Sequence, residues 1–252
     1  PPLAEQQRIV AKLDAAFAEI DETIHATKIK IQNYFKLEET NKSSFFSNLS
    51  SSLIELEKTS EIINGYAFKS GDFQHSNGVP VIKITNVGIR DFVETNDVNL
   101  PKDFLAKHKQ FAVKQGDIVF ALTRTVINGG LKVAVVPKGY EGALLNQRVA
   151  SVSANPKLMN SEFLYSYLSS SMVLDYVLAN VNTLMQPNLS ITDLKKRPVP
   201  NIPVDKQVAY SQTLKETEIQ FQNIRTIETK KLSELEKLKS SILAQELQSE
   251  AA

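Results

Sequence analysis

Between residues 53 and 203 the chain places planar and cationic side chains in short groups beside turns. Lys83, Thr85, Asn86 and Arg90 follow one another along VIKITNVGIR, and Thr123, Arg124 and Thr125 precede the turn Asn128-Gly129-Gly130. Gln147 and Arg148 open the run after it. An Arg fork matches the acceptor pair of guanine, Asn or Gln matches the donor and acceptor of adenine, and Lys or Arg neutralises phosphate. Singly, each is an ordinary surface residue; as a set at strand ends they favour contact with duplex DNA. Tyr66 and Lys69, with Phe68, lie in the loop GYAFKS. That is either a basic and aromatic group for backbone and sugar, or a loop pinned by its rings with Lys69 solvated. Lys195, Lys196 and Arg197 form a short basic run that is either a solvated face or a phosphate contact.

The parts of an enzyme are not visible. Asn155-Pro156-Lys157-Leu158 begins like the Asn-Pro-Pro-aromatic loop of DNA adenine methyltransferases but lacks the second Pro and the aromatic, so it reads as a turn. No Gly-rich loop ends in Gly-Lys-Ser or Gly-Lys-Thr, and there is no Ser-His-Asp signature. His25, His75 and His108 are far apart, with no cysteine to join them in a metal site. Asp117 and Lys132 read as a turn aspartate after Gly116 and a strand lysine. No catalytic residue and no metal ligand is assigned.

Strands and turns must position the polar groups. Val79 to Val87 reads as a strand, with Lys83 and Thr85 on one face and Asn86 and Arg90 at its end. IVFALTRTV and LKVAVV read as a hairpin about the Asn128 turn, and Leu144 to Ser153 as a further strand. Phe163 to Leu178 is apolar at helical spacing, and Asn182 to Pro203, with four prolines, is an extended lead.

Two long helices flank this middle. In the first, Leu13, Phe17, Ile20, Ile24 and Ile31 alternate steps of three and four, with Thr27 the polar member of the seam. From about Leu3 to about Glu39 it would span roughly 55 Å. PLAEQQRIVAKL from Pro2 lines up with PVDKQVAYSQTL from Pro203, matching Gln6 to Gln207 and Leu13 to Leu214. The second copy continues through Phe221, Ile224, Leu235, Leu238 and Ile242, interrupted by Glu228 and Lys231. The expected architecture is α+β: a helix over 1–40, a Ser-rich hinge over 41–52, a mixed α/β domain over 53–203 and a second helix over 204–252. Both helices leave one domain, so antiparallel pairing is the simplest packing. Pairing between copies is the rival.

The 252 residues fit one ordinary domain plus two arms. A net charge of +1 means that any nucleic-acid role rests on a local patch. The lack of cysteine, of a signal peptide and of a long apolar run leads us to expect a cytoplasmic setting. The opening Pro in place of Met suggests a piece of a longer chain.

At PPLAEQQRIV, INGYAFKSGDF, TLMQPNLSITDLKKRPVPNIP and KLKSSILAQEL the chain resembles the specificity subunits of type I DNA restriction-modification systems. That resemblance covers nearly the whole chain and is weakest from Gly88 to Asn146. It implies a target recognition domain on a pair of coiled-coil helices, and it favours DNA contact at Tyr66 and Lys69. It makes Gln186, Pro187 and Asn188 a junction that positions rather than reads. Such subunits usually carry two recognition domains, and this chain has room for one. The resemblance further implies partners that do the chemistry: modification subunits that bind S-adenosylmethionine and methylate adenine, and restriction subunits that cleave. No cofactor is expected on this chain. The reading from heptads alone, a coiled-coil adaptor without specific DNA binding, is the alternative, and pairing of two copies would imitate a full subunit.

Overall fold

A computed structural model describes residues 2–49, 52–75, 77–95, 98–180 and 188–248. The chain divides into two units, Lys42–Leu214 and a helical unit made from Pro1–Asn41 and Lys215–Ala252.

Helix α1 (Leu3–Asn48) starts with Glu5 in its first turn, where a carboxylate suits the helix dipole. Its last residues belong to the globular unit. Phe46 is fully buried and edge-on to Phe163 and Tyr167, and Phe45 is edge-on to Tyr210. The stretch expected as a hinge is therefore helical as far as Asn48, because its two phenylalanines are core residues. Ser50 and Ser51 lie outside the described residues.

Short strands follow: β1 (Leu53–Glu55), β2 (Ser60–Asn64), β3 (Val79–Ile82) and β4 (Asn99–Leu100). After the single turn of α2 (Asp103–Lys107) come β5 (Ile118–Ala121), β6 (Val126–Ile127), β7 (Gly130–Leu131), β8 (Val133–Val135), β9 (Leu144–Leu145) and β10 (Val149–Ala154). Helices α3 (Ser161–Leu168), α4 (Ser171–Asn180) and α5 (Ile191–Lys195) lead to β11 (Pro198–Pro200), which pairs antiparallel with β1, and to α6 (Val204–Gln248).

The frame of the globular unit is a four-stranded antiparallel sheet in the order β2-β10-β5-β8. Val149 faces Ala121 and Val152 faces Ile118, while Ile118 faces Val135 across β8. Alternation sends Ile118, Phe120, Ala150 and Val152 to one core with Phe163, Leu164 and Leu168, and Val119, Ala121, Ala134 and Val149 to another with Ile82 and Leu145. Both faces are covered, which is why IVFA is apolar at every position. The expected hairpin is present. Asn128 (φ 47°) and Gly129 (φ 74°) take the left-handed pair of angles that a two-residue turn between β6 and β7 requires.

The apolar run from Phe163 makes two helices instead of one. The break at Ser169 and Ser170 is held from outside: Arg90 Nε donates to the Ser169 carbonyl at 2.9 Å and Lys42 Nζ to Ser169 Oγ at 3.1 Å. At the start of α6, Gln207 is fully buried. Its Nε2 donates to the carbonyls of Ile202 (2.7 Å) and Leu158 (3.0 Å), and its Oε1 accepts from Asn160 N–H at 2.7 Å.

In the helical unit α1 and α6 run antiparallel, linked by Asp21 to Lys239 (2.6 Å), Lys28 to Glu236 (3.7 Å) and Glu38 to Arg225. Leu13, Phe17, Ile20, Ile24 and Ile31 are half-buried along the seam, with Thr27 its most buried member, and Phe221, Leu235 and Ile242 face them. Ile224 and Leu238 do not; they are 37% and 48% exposed. Arg225 and Lys239 take those turns of the seam instead, lying 4.3 Å and 5.1 Å from the rings of Phe35 and Phe17. Steps of three and four admit either choice. Stacking on a ring plus a carboxylate partner outweighs the burial of one more aliphatic group in a half-wet seam.

Candidate nucleic-acid interface

The site is built where β5 and β10 run out. Leu122 N–H donates to the Arg148 carbonyl at 2.8 Å, and Leu189 N–H donates to the Leu122 carbonyl at 2.9 Å. These bonds set three non-strand segments abreast, and Thr123 pairs with Asn188 across two of them. The GYAFKS loop joins the same edge: Tyr66 N–H donates to the Leu145 carbonyl and the Tyr66 carbonyl accepts from Gln147 N–H, both at 2.9 Å. Gly65 permits this approach, since a Cβ there would lie 2.1 Å from the Asn146 carbonyl oxygen.

Ile84, Thr123, Arg124, Arg148 and Asn188 line a cleft of about 290 Å³. Arg124 and Arg148 are exposed, and Arg124 has a left-handed φ of 50°. Thr123 Oγ1 is buried with no hydrogen-bond partner. Behind the cleft Lys132 is buried, its ammonium donating to the Ile84 carbonyl. Burial first, and then the Arg124 charge, hold the Lys132 pKa below the ordinary lysine value.

Thr123, Arg124, Gln147, Arg148 and Tyr66 thus share one edge. Tyr66 is 41% exposed with its ring against Phe68, His108 and Phe111. Lys69 is exposed one turn further along its loop, where its N–H is held by Asp72.

The other expectations need correction. The strand stops at Ile82, and Lys83, half-buried, and Thr85, exposed, sit in a turn and share no strand face. Asn86 is fully buried and builds that turn: its Oδ1 accepts from Lys83 N–H, and its Nδ2 donates to the Val93 carbonyl and to Thr95 Oγ1, all at 2.9 Å. It has no edge left for a base. Arg90 is a staple, its Nε on Ser169 and its carbonyl accepting from the Tyr165 hydroxyl at 3.1 Å. Thr125 is fully buried, its hydroxyl oxygen accepting from Leu189 N–H at 3.3 Å. Arg197 of the basic run is buried 4.2 Å over the Tyr176 ring, with Nη2 donating to the Tyr167 hydroxyl at 2.9 Å. Burial raises the pKa of that tyrosine, against the opposing pull of Arg197.

Asn188, read from sequence as a positioning residue, lines the cleft, while Gln186 and Pro187 lie outside the described residues. Its placement depends on the bridge to Thr123, a tertiary contact with no local signal. Asn155 Oδ1 accepts from Lys157 N–H at 3.1 Å, so the Asn-Pro segment is a turn. Asp117 and Lys132 have separate partners: Asp117 accepts from Lys114 N–H (2.8 Å) and the Ser153 hydroxyl (2.6 Å). Among the described residues no helix is long and apolar enough to cross a membrane.

Residues 44–237 match the model of the type I restriction modification DNA specificity domain. Over 196 residues the chain is 31% identical to the type I restriction enzyme MjaVIII specificity subunit of Methanocaldococcus jannaschii, covering 76% of this chain and 44% of that one. The EcoAI specificity subunit of Escherichia coli is 29% identical over 147 residues, 58% of this chain and 24% of its own length. The chain therefore spans less than half of either relative. Its fold is similar to a chain solved in a study of complex assembly and conformational transition of the type I R-M system (TM-score 0.78, 19% identity, 97% of this chain and 59% of that one). It is also similar to the HsdS subunit of Thermoanaerobacter tengcongensis (TM-score 0.62, 19% identity, 97% and 58%). With its globular unit and much of α6 inside the matched region, the chain belongs to the type I restriction modification DNA specificity domain family.

Proposed function

We propose that residues 53–203 are one target recognition domain, reading one part of a split duplex DNA site for a type I restriction-modification system. The observation that carries this is a donor-rich edge, Thr123, Arg124, Gln147, Arg148 and Asn188, built by the domain whose sequence matches the specificity family. Those groups offer both kinds of contact that recognition needs, charge for phosphate and planar amides for bases. The helix pair serves as spacer and as docking surface for modification subunits, and through them for restriction subunits. In this reading the chain works in the cytoplasm and supplies the address. S-adenosylmethionine and the catalysis belong to its partners.

The test is selection from a random duplex pool by the purified chain, alone and with its modification subunit, at moderate salt. One short enriched word is the expected result. Two words at fixed spacing would show that copies pair, and failure to enrich any word in either condition would reject the reading.

A further inference from the structure

The cleft beyond β5 and β10 is a hollow, and that shape separates two kinds of DNA contact. Base edges lie at the floor of a major groove about 8.5 Å deep, so a group that reads them must stand out from the protein. Phosphates project from the duplex, so a group that holds one can be recessed. Among the described residues the lining is two arginines, a threonine, an asparagine and an isoleucine, with no carboxylate. Its donors far outnumber its acceptors, which complements phosphate oxygens better than a base edge carrying both. Thr123, another lining residue, has a hydroxyl that is buried without a hydrogen-bond partner. Lys132 adds a third positive charge behind Ile84, close enough to Arg124 to feel it. Arg124 also keeps a left-handed backbone that a residue with a side chain rarely adopts, and such angles persist where the surroundings impose them.

We propose that the cleft between Arg124 and Arg148 seats one backbone phosphate of the duplex and fixes the register in which protruding neighbours meet the bases. This rests on the DNA-recognition reading above and divides labour within it. Both arginines, of the type that fits guanine, position. Base reading falls to Gln147, exposed beside Arg148, and to Asn128, exposed at the tip of the β6–β7 hairpin.

The experiment uses the full chain and the word it enriches, with the phosphates of that duplex replaced one at a time by uncharged methylphosphonates. For the wild-type chain one replacement weakens binding on the order of tenfold. In Arg148→Ala, and separately in Arg124→Ala, the same replacement has almost no further effect. The enriched word stays the same, and in either variant the slope of log K against log salt becomes shallower by at most about 1, the share of one phosphate. Arg148 has an exposed side chain on an ordinary backbone, so its variant reports even if the left-handed Arg124 loop shifts. A variant that loses one letter of the word while keeping the methylphosphonate response overturns the proposal in favour of base reading by that arginine. Unchanged affinity in both variants also overturns it. A wild-type chain that retains no duplex removes the DNA reading itself, and the clamp with it.

Discussion

Both ends of the Asn86 amide are occupied inside a turn, so its replacement acts on the fold. Asn86→Ala leaves a part-buried N–H, a carbonyl and a hydroxyl without their partner. The expected loss is about 2–4 kcal/mol in urea unfolding; a midpoint equal to wild type would show the turn to be held by other bonds. Asp117 is the acid-range counterpart. Burial raises its pKa, only partly offset by hydrogen bonds from Lys114 N–H and Ser153. The folded state therefore keeps this proton to a higher pH than the unfolded chain does. The associated stability is present in full below the ordinary aspartate value of 3.8 and is lost as pH rises through the higher folded value. Asp117→Asn is expected to flatten that part of the stability curve. Parallel urea midpoints for variant and wild type across this range would contradict it. Arg124, Gln147 and Arg148 were legible as exposed polar residues at strand ends, because turn residues next to strand ends announce such positions. Asn86, Arg90 and Thr125 were misread because their partners, Val93, Ser169 and Leu189, come from other segments, and no local pattern encodes such bonds.

At the scale of elements, the helix pair is readable as a period but not in its rotation. Its three-and-four spacing gave both helices and the seam on α1. It could not choose between Ile224 and Arg225, or between Leu238 and Lys239, because adjacent positions fit the repeat equally and ring and carboxylate partners on α1 decide. Replacing Ile20 and Ile24 together by Asn removes two half-buried apolar groups from the seam. A cost of about 2–4 kcal/mol is expected, seen as early loss of helical circular dichroism on heating. Ile227, 68% exposed, is the control, and Ile227→Asn should leave the melt nearly unchanged. Equal melts for the seam and control variants would mean that the seam carries no stability. The end of α1 was missed for a simpler reason. A serine-rich composition suggests a loop, but Phe45 and Phe46 bury enough ring surface to keep Asn41–Asn48 helical.

For the whole molecule, a net charge of +1 with two arginines at one cleft predicts, on the proposed DNA reading, a particular kind of binding. A uniformly basic protein neutralises many phosphates and loses affinity steeply with salt. This chain should show a shallow dependence, a log–log slope of about −2 to −4, from the few phosphates that one cleft and its neighbours can reach. Titration of a single duplex at several salt concentrations checks it, and a slope steeper than about −7 would point to a cationic surface elsewhere.

Strands β5 and β10 are buried up to Ala121 and again from Val149, and the cationic side chains of the cleft lie just past those ends. Their replacement is expected to leave the packed sheet as it was. On the proposed DNA reading, exposed readers such as Gln147 share that margin with the phosphate clamp, so a few codons there would change the word while the packed sheet stays intact, and new specificities would arise without loss of the fold on the way.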